Sequence, residues 1–220
     1  MVALKSQKRP ETLKETTLQE LRRAITFGQF KPGDRLVERV LCEKLDVSRT
    51  VVRECIRHLE SERLITVRPN NGPVVASLSL NDVKEIYWLR QQMEEEAVAK
   101  CALNSTAQDI AFLKSRCKSI AKAMNKKDIQ TVLNHTHDFY ERIFIVGDMN
   151  VSWDIENQLN SRIAILRRMT LQTSGRDVTG PKNLERITQA IENKDPKSAK
   201  KAVATHVKEA LSLALKELKK

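Results

Sequence analysis

Arginines at positions 49, 53 and 57 fall four residues apart in LDVSRTVVRECIRHLE, residues 45–60, so on a helix they form one stripe. Each guanidinium is a planar, permanently charged fork that can make paired hydrogen bonds to a carboxylate, a phosphate or the edge of guanine. On a helix begun at Arg49, Val52, Cys55, Ile56 and Leu59 share a face for packing, while Arg49, Thr50, Arg53 and Arg57 gather on a sector centred more than about 90° away. That sector faces outward. The bland alternative is a solvated charged face, with Glu54 and Glu60 pairing locally.

A second group of polar residues sits inside apolar helical stripes further along the chain. Arg90 falls within Ile86-Leu89-Met93-Ala97, Thr136 and Tyr140 within Val132-Leu133-Ile143, Arg162 within Ile155-Leu159-Leu166, and His206 within Ala199-Val203-Ala210. Polar groups that face a bundle interior must find partners there. One reading is a structural network, such as Arg90 with Glu94 one turn on. The other is a cavity built from Arg90, Tyr140, Arg162 and His206, whose two arginines favour an anionic guest such as a carboxylate. No Ser/His/Asp or Cys/His set stands at convincing catalytic spacing. Cys42, Cys55, Cys101 and Cys117 lie far apart without a C-x-x-C pair, and are expected to be reduced core residues rather than disulfides or zinc ligands.

These side chains need elements to position them. Leu13 to Phe27 carries Leu18, Leu21 and Ile25 at helical spacing, with Gly28 as its stop. Pro32-Gly33 fits the middle of a type II turn. A short helix from Val37 to Leu45, with Val37, Leu41 and Leu45 inward, ends at Asp46, and Ser48 caps the arginine-bearing helix to about Ser61. Two short helices joined this tightly make a helix-turn-helix. LITVRPNNGPVVAS reads as a hairpin tipped by Asn-Asn-Gly, completing a winged helix-turn-helix, and its exposed stripe is shaped to enter a DNA major groove. SLSLND then reads as a linker, with Ser79 capping the next helix.

Beyond it, six apolar stripes predict six helices in an antiparallel bundle, adding Ile110-Leu113-Cys117-Ile120-Met124, Leu184-Ile187-Ile191 and Ala199-Ala202-Val203-Ala210-Leu213 to those above. TSGRDVTGPK, residues 173–182, is the one longer loop, and Pro181 suits the first turn of the helix that follows. The expected class is mainly α: a winged helix-turn-helix over 1–77 with a small β-ribbon wing, then an all-α antiparallel bundle over 78–220.

Composition agrees with this class. Lys and Arg number 39 against 28 Asp and Glu, for a net charge of +11. The excess spreads over both halves, 15 against 10 up to residue 78 and 24 against 18 beyond, so arrangement and not bulk charge must decide on nucleic acid. No segment approaches the roughly 18 apolar residues of a membrane span, and MVALKSQKRP lacks the apolar core of a secretion signal, so a cytoplasmic protein is expected.

The segment GQFKPGDRLVERVLCEKLDVSRTVVRECIRHLESERLITVRPNNGPVV resembles the DNA-binding domain of the GntR family of bacterial transcription regulators, with its G-x-L-x-P-G-x-x-L-x-E, V-S-R-T-x-V-R-E-A-L and Gly-tipped wing signatures. Position by position, the resemblance implies DNA contacts from Arg39, from Ser48, Arg49, Thr50 and Arg53, and from Asn71 and Gly72 at the wing. Asp46 and Arg63 stand at turn positions where the family usually has Gly. DVKEIYWLRQQMEEEAVAKCA, DFYERIFIVGDMN and AIENKDPKSAKKAVATHV resemble segments of the FCD effector domain. Many such domains hold a divalent metal through one Asp and three His; the matching positions here are Thr136, Tyr140 and Leu184, with His206 alone retained. His135 and His137 project about 200° apart on a helix and do not rescue the set. No metal cofactor is expected, although the family leaves a divalent ion open. The resemblance implies a homodimeric regulator, a repressor by the commoner pattern, that binds a pseudo-palindromic operator and is modulated by a small anionic metabolite. The rival readings are an enzyme working in the bundle cavity and a nonspecific architectural DNA binder.

Overall fold

A computed structural model describes residues 12–69, 71–171, 173 and 176–219, and divides the chain into compact units of residues 1–77 and 78–220. In the first unit, Thr12 opens helix α1 (Leu13–Thr26) with a capping box: its hydroxyl accepts from the Glu15 N–H and the Glu15 carboxylate accepts from the Thr12 N–H. Gly28 leaves the helix at φ 76°. The Lys31–Asp34 turn has Gly33 at φ 89° and closes with Asp34 N–H donating to the Lys31 carbonyl at 3.0 Å, which is the geometry that Pro32-Gly33 encodes.

Helix α2 (Glu38–Leu45) stops at Asp46, which takes the left-handed conformation at φ 51°. Helix α3 (Arg49–Ser61) starts at Ser48, whose Oγ accepts from the Val51 N–H. Arg63 is also left-handed, at φ 60°. Strands β1 (Ile65–Arg68) and β2 (Gly72–Val75) pair antiparallel, Ile65 opposite Val75 and Arg68 opposite Gly72. Asn70, part of the expected hairpin tip, lies outside the described residues.

One expectation fails here. Val37 is exposed, and Leu36 is the buried residue. The reason is local: residues 35–36 run extended beside the wing, with Arg35 bridging Val74 and the Leu36 N–H donating to the Pro73 carbonyl at 2.9 Å. Extended backbone alternates its side chains, so burying Leu36 turns Val37 outward.

The second unit holds α4 (Leu80–Asn104), α5 (Ala107–Asn125), α6 (Ile129–Val146), α7 (Asn150–Leu171), α8 (Arg176–Glu192) and α9 (Pro196–Glu217). Ser79 with Asp82 and Thr106 with Asp109 form capping boxes for α4 and α5. Asp128 and Asp195 cap α6 and α9. Helix α4 is central, packing on α6, α7, α8 and α9, and is buried on more than one face through Val83, Tyr87, Arg90, Glu94, Val98 and Cys101. At Gly147 the chain leaves α6 so close to α4 that an added Cβ would stand 2.8 Å from the Ala97 carbonyl oxygen. Close approach, not backbone conformation, demands glycine there.

Four sequence expectations change. Leu89 is partly exposed on α4, and Ala214 rather than Leu213 is buried at the end of α9. On α7, Ile155 is exposed and Glu156 buried, so the inward line runs Glu156, Ile163, Leu166, Thr170. Helix α8 begins at Arg176, so Pro181 lies inside it rather than in its first turn. Gly180, having no Cβ to meet the proline ring, lets the helix continue through. Residues 174 and 175 of the expected loop lie outside the described residues.

Among the described residues, no helix is long and apolar enough to cross a membrane. All four cysteines are free. Burial pushes the Cys101 thiol up to about 12 and Cys117 up to about 11, so both stay protonated and unreactive.

Candidate functional sites

Helix α3 is two-sided. Val52, Cys55, Ile56 and Leu59 are buried, whereas Arg49, Thr50, Arg53 and Arg57 are all exposed. Arg53 donates through Nε to both oxygens of Glu38, at 2.9 and 3.1 Å, and Arg39 pairs with Glu43 one turn on at 2.6 Å. Glu54, expected as a local partner for the arginines, reaches instead to Lys14 on α1 at 2.9 Å. Exposed pairs of this kind are worth at most about 1 kcal/mol. They orient the guanidiniums without holding them back from a polyanion. At the wing, Asn71 is exposed and Gly72 sits at φ 69° with open space around it, so the positive φ alone explains glycine.

In the second unit, helices α4 to α9 enclose a cavity with about 470 Å³ of empty space, including the part open to solvent. Its polar wall is Arg90, Thr136, Arg167, Thr170 and His206. Its apolar wall includes Ile120, Met124, Val132, Leu133, Leu171 and Leu184.

Behind the polar wall lies a buried ionic cluster. Glu94 Oε1 accepts from Arg90 Nε at 2.9 Å and from Nη2 at 2.8 Å, and both side chains are almost fully buried. Arg90 thus makes the expected pair with Glu94 and also lines the cavity. The Arg90 guanidinium lies 5.1 Å from the Tyr87 ring centre, and Arg167 lies 5.2 Å from that of Tyr140. Burial acts to lower the Arg90 pKa, but Glu94 and the neighbouring phenols and carboxyl outweigh it and hold the group firmly charged. For Glu156, burial first and the negative Glu94 second push the carboxyl well above the ordinary range, which makes it the neutral member of the cluster. Burial likewise keeps the Tyr140 phenol protonated. Burial and the like charge of Arg90 lower Arg167. Its Nη2 is buried and has no hydrogen-bond partner among the described residues.

Of the four residues expected to form the pocket, Arg90 and His206 line it. Tyr140 stands behind the wall under Arg167 rather than in it. Arg162 does not line the cavity: α7 presents Arg167, Thr170 and Leu171, and five residues turn a helix by about 140°. Arg162 instead acts on Asp82 at the start of α4, whose carboxyl is held below its usual range mainly by Ser79. Arg167, Glu156 and Thr170 are the members that sequence reasoning missed. Phasing α7 on Ile163, Leu166 and Thr170 instead of Ile155 brings both Glu156 and Arg167 toward the core.

The cavity does not fit a divalent metal. Thr136 and Leu184, which match metal-ligand positions of the resembled domain, do line it with His206, but Leu184 has no lone pair and Thr136 Oγ1 donates to the Val132 carbonyl at 2.7 Å. Tyr140, at the remaining position, is a neutral phenol, and two guanidiniums repel a cation. Among the described residues no group of three or more His, Cys, Asp or Glu could hold an ion.

Comparison with known proteins places both units. Residues 13–75 match the profile described as bacterial regulatory proteins, gntR family, and residues 85–209 match the FCD domain. The HTH-type transcriptional regulator YdhC of Bacillus subtilis (strain 168) is 27% identical over 188 residues, 85% of this chain and 84% of its own. The HTH-type transcriptional repressor RspR of Escherichia coli (strain K12) is 25% identical over 193 residues, covering 86% and 83%. The fold is that of E. coli McbR/YncC, with a TM-score of 0.79 at 23% identity over 95% of this chain and 100% of the other.

Proposed function

Because the chain belongs to the GntR family of bacterial regulatory proteins, with an FCD domain following its helix-turn-helix, we propose that it is a homodimeric repressor released or tightened by a small anionic metabolite. Its relatives are transcriptional regulators and not enzymes, and its first unit binds DNA. The repressor reading leans on the printed function of RspR. In this reading residues 1–77 read the operator, and residues 78–220 bind effector and join the two protomers in the cytoplasm, where the DNA is.

The observation that carries the proposal is the sidedness of α3, one face fully buried and every arginine of the other exposed. Inserted in the major groove, Arg49, Thr50 and Arg53 near its amino end reach base edges. Ser48 brings its capped N–H groups to a phosphate, Arg39 approaches from α2, and Asn71 and Gly72 bring the wing to the backbone. Two protomers related by a twofold axis would read two halves of a pseudo-palindrome. The second unit contributes an anion site on Arg90, Arg167 and His206, and occupancy would shift operator affinity by a coupling of about 1–3 kcal/mol.

A gel shift on the cognate promoter tests the DNA side. Arg49→Ala and Arg53→Ala should each weaken binding by about 1–3 kcal/mol, if each contact is bidentate. Wild-type affinity in both variants would remove α3 from the groove, and equal affinity for operator and random duplex at physiological salt would favour an architectural binder. Thermal shift against a panel of organic acids tests the effector side.

A further inference from the structure

The cavity lining combines two chemistries. Arg90 and Arg167 supply two guanidiniums, and much of the rest is apolar: Ile120, Met124, Val132, Leu133 and Leu184. Arg90 already commits Nε and Nη2 to Glu94, whereas Arg167 Nη2 is a buried donor with no partner among the described residues. Burial and the neighbouring Glu94 raise the Glu156 carboxyl well above its ordinary range, which weakens it as a second counter-charge for the two guanidiniums. A buried donor left unmet is costly, and one anionic oxygen group removes that cost. A second charged group on the same guest that reached the apolar lining would lie there without a partner.

We propose that the effector is a monocarboxylate with an apolar body, its carboxylate anchored on Arg167 without a metal ion and its tail lying against the aliphatic wall. This rests on the effector reading above and narrows it. The carboxylate accepts from Arg167 Nη2, whose positive charge takes the place of a cation at the mismatched metal positions, and Thr170 and His206 line the same cavity.

The test is calorimetric titration of the full-length protein, dialysed against EDTA, with butanoate, hexanoate and octanoate, with hexanol, and with succinate and citrate. Affinity should rise by about four-fold per methylene over the part of the series that fits, hexanoate should exceed hexanol by about ten-fold or more, and EDTA should change nothing. Arg167→Gln should erase the advantage of hexanoate over hexanol. The wild-type comparison of the two stands if that variant does not fold. Equal binding of hexanoate and hexanol, or loss of binding in EDTA, overturns the proposal. Preference for succinate or citrate overturns it while leaving the anionic effector in place. No binding by any acid overturns both.

Discussion

Replacing Glu94 by Gln removes the carboxylate that pairs with Arg90 in the interior cluster and leaves Arg90, 1% exposed, beside a neutral amide. Breaking a buried pair outright costs about 3–5 kcal/mol, because the surviving charge keeps its desolvation penalty. Here a reserve exists. Glu156 is held neutral by burial and by the charge of Glu94, so with that charge gone, two guanidiniums near it favour its ionisation. The single variant should then lose about 1–2 kcal/mol, the difference between two well-aligned charge-assisted bonds and poorer ones. Glu156→Gln alone should be near neutral, and the double variant should lose the full 3–5 kcal/mol, a coupling of about 2 kcal/mol. Denaturant unfolding followed by tryptophan fluorescence measures this selectively, since Trp88 and Trp153, the only two tryptophans, both belong to the second unit.

The pH dependence carries a sign of its own. With its folded pKa raised, wild-type Glu156 adds stability that is present at low pH and lost as pH rises through the folded value; Glu156→Gln lacks that loss and gains on wild type toward alkaline pH. In Glu94→Gln the sign inverts, because Glu156 becomes the ionised partner and its stabilisation is lost on acidification. Additive losses in the double variant, or a Glu156→Gln as costly as Glu94→Gln, would refute the proton reserve.

Arg63→Gly should stabilise the first unit by about 0.5–1 kcal/mol, since relief of a left-handed non-glycine residue exceeds the added freedom of the unfolded chain; a lower melting temperature would contradict it. Gly147→Ala should destabilise the second unit by about 1–3 kcal/mol, because its Cβ meets the backbone of α4 and not a flexible side chain; unchanged denaturant midpoints would contradict the close approach.

Much of the first unit could be read from residues with local consequences. Ser48 caps, Pro32-Gly33 turns, and Asp46 ends its helix in a left-handed conformation, each for reasons contained within a few positions, while Arg63 takes the left-handed turn at a position where the resembled family pattern has glycine. Leu36 and Val37 escaped because the wing, distant in sequence, dictates their alternation. In the bundle, Arg90 and His206 showed through as polar breaks in apolar stripes. Glu156 and Arg167 did not, since a charged residue on a helix reads as solvated unless its partners are known, and those partners come from α4 and α6. Pro181 similarly argued for a helix start because its tolerance inside α8 depends on the glycine before it.

Four of the joints of the helical unit are very short: two residues between α4 and α5, and three each between α5 and α6, α6 and α7, and α8 and α9. Lys127, Asp148 and Lys194 lock the three-residue joints in left-handed conformations. Such hinges have no slack to absorb displacement. A guest that wedged the walls apart would therefore tilt whole rods together, and a stimulus felt at one side chain would be delivered as the leverage of a rigid frame.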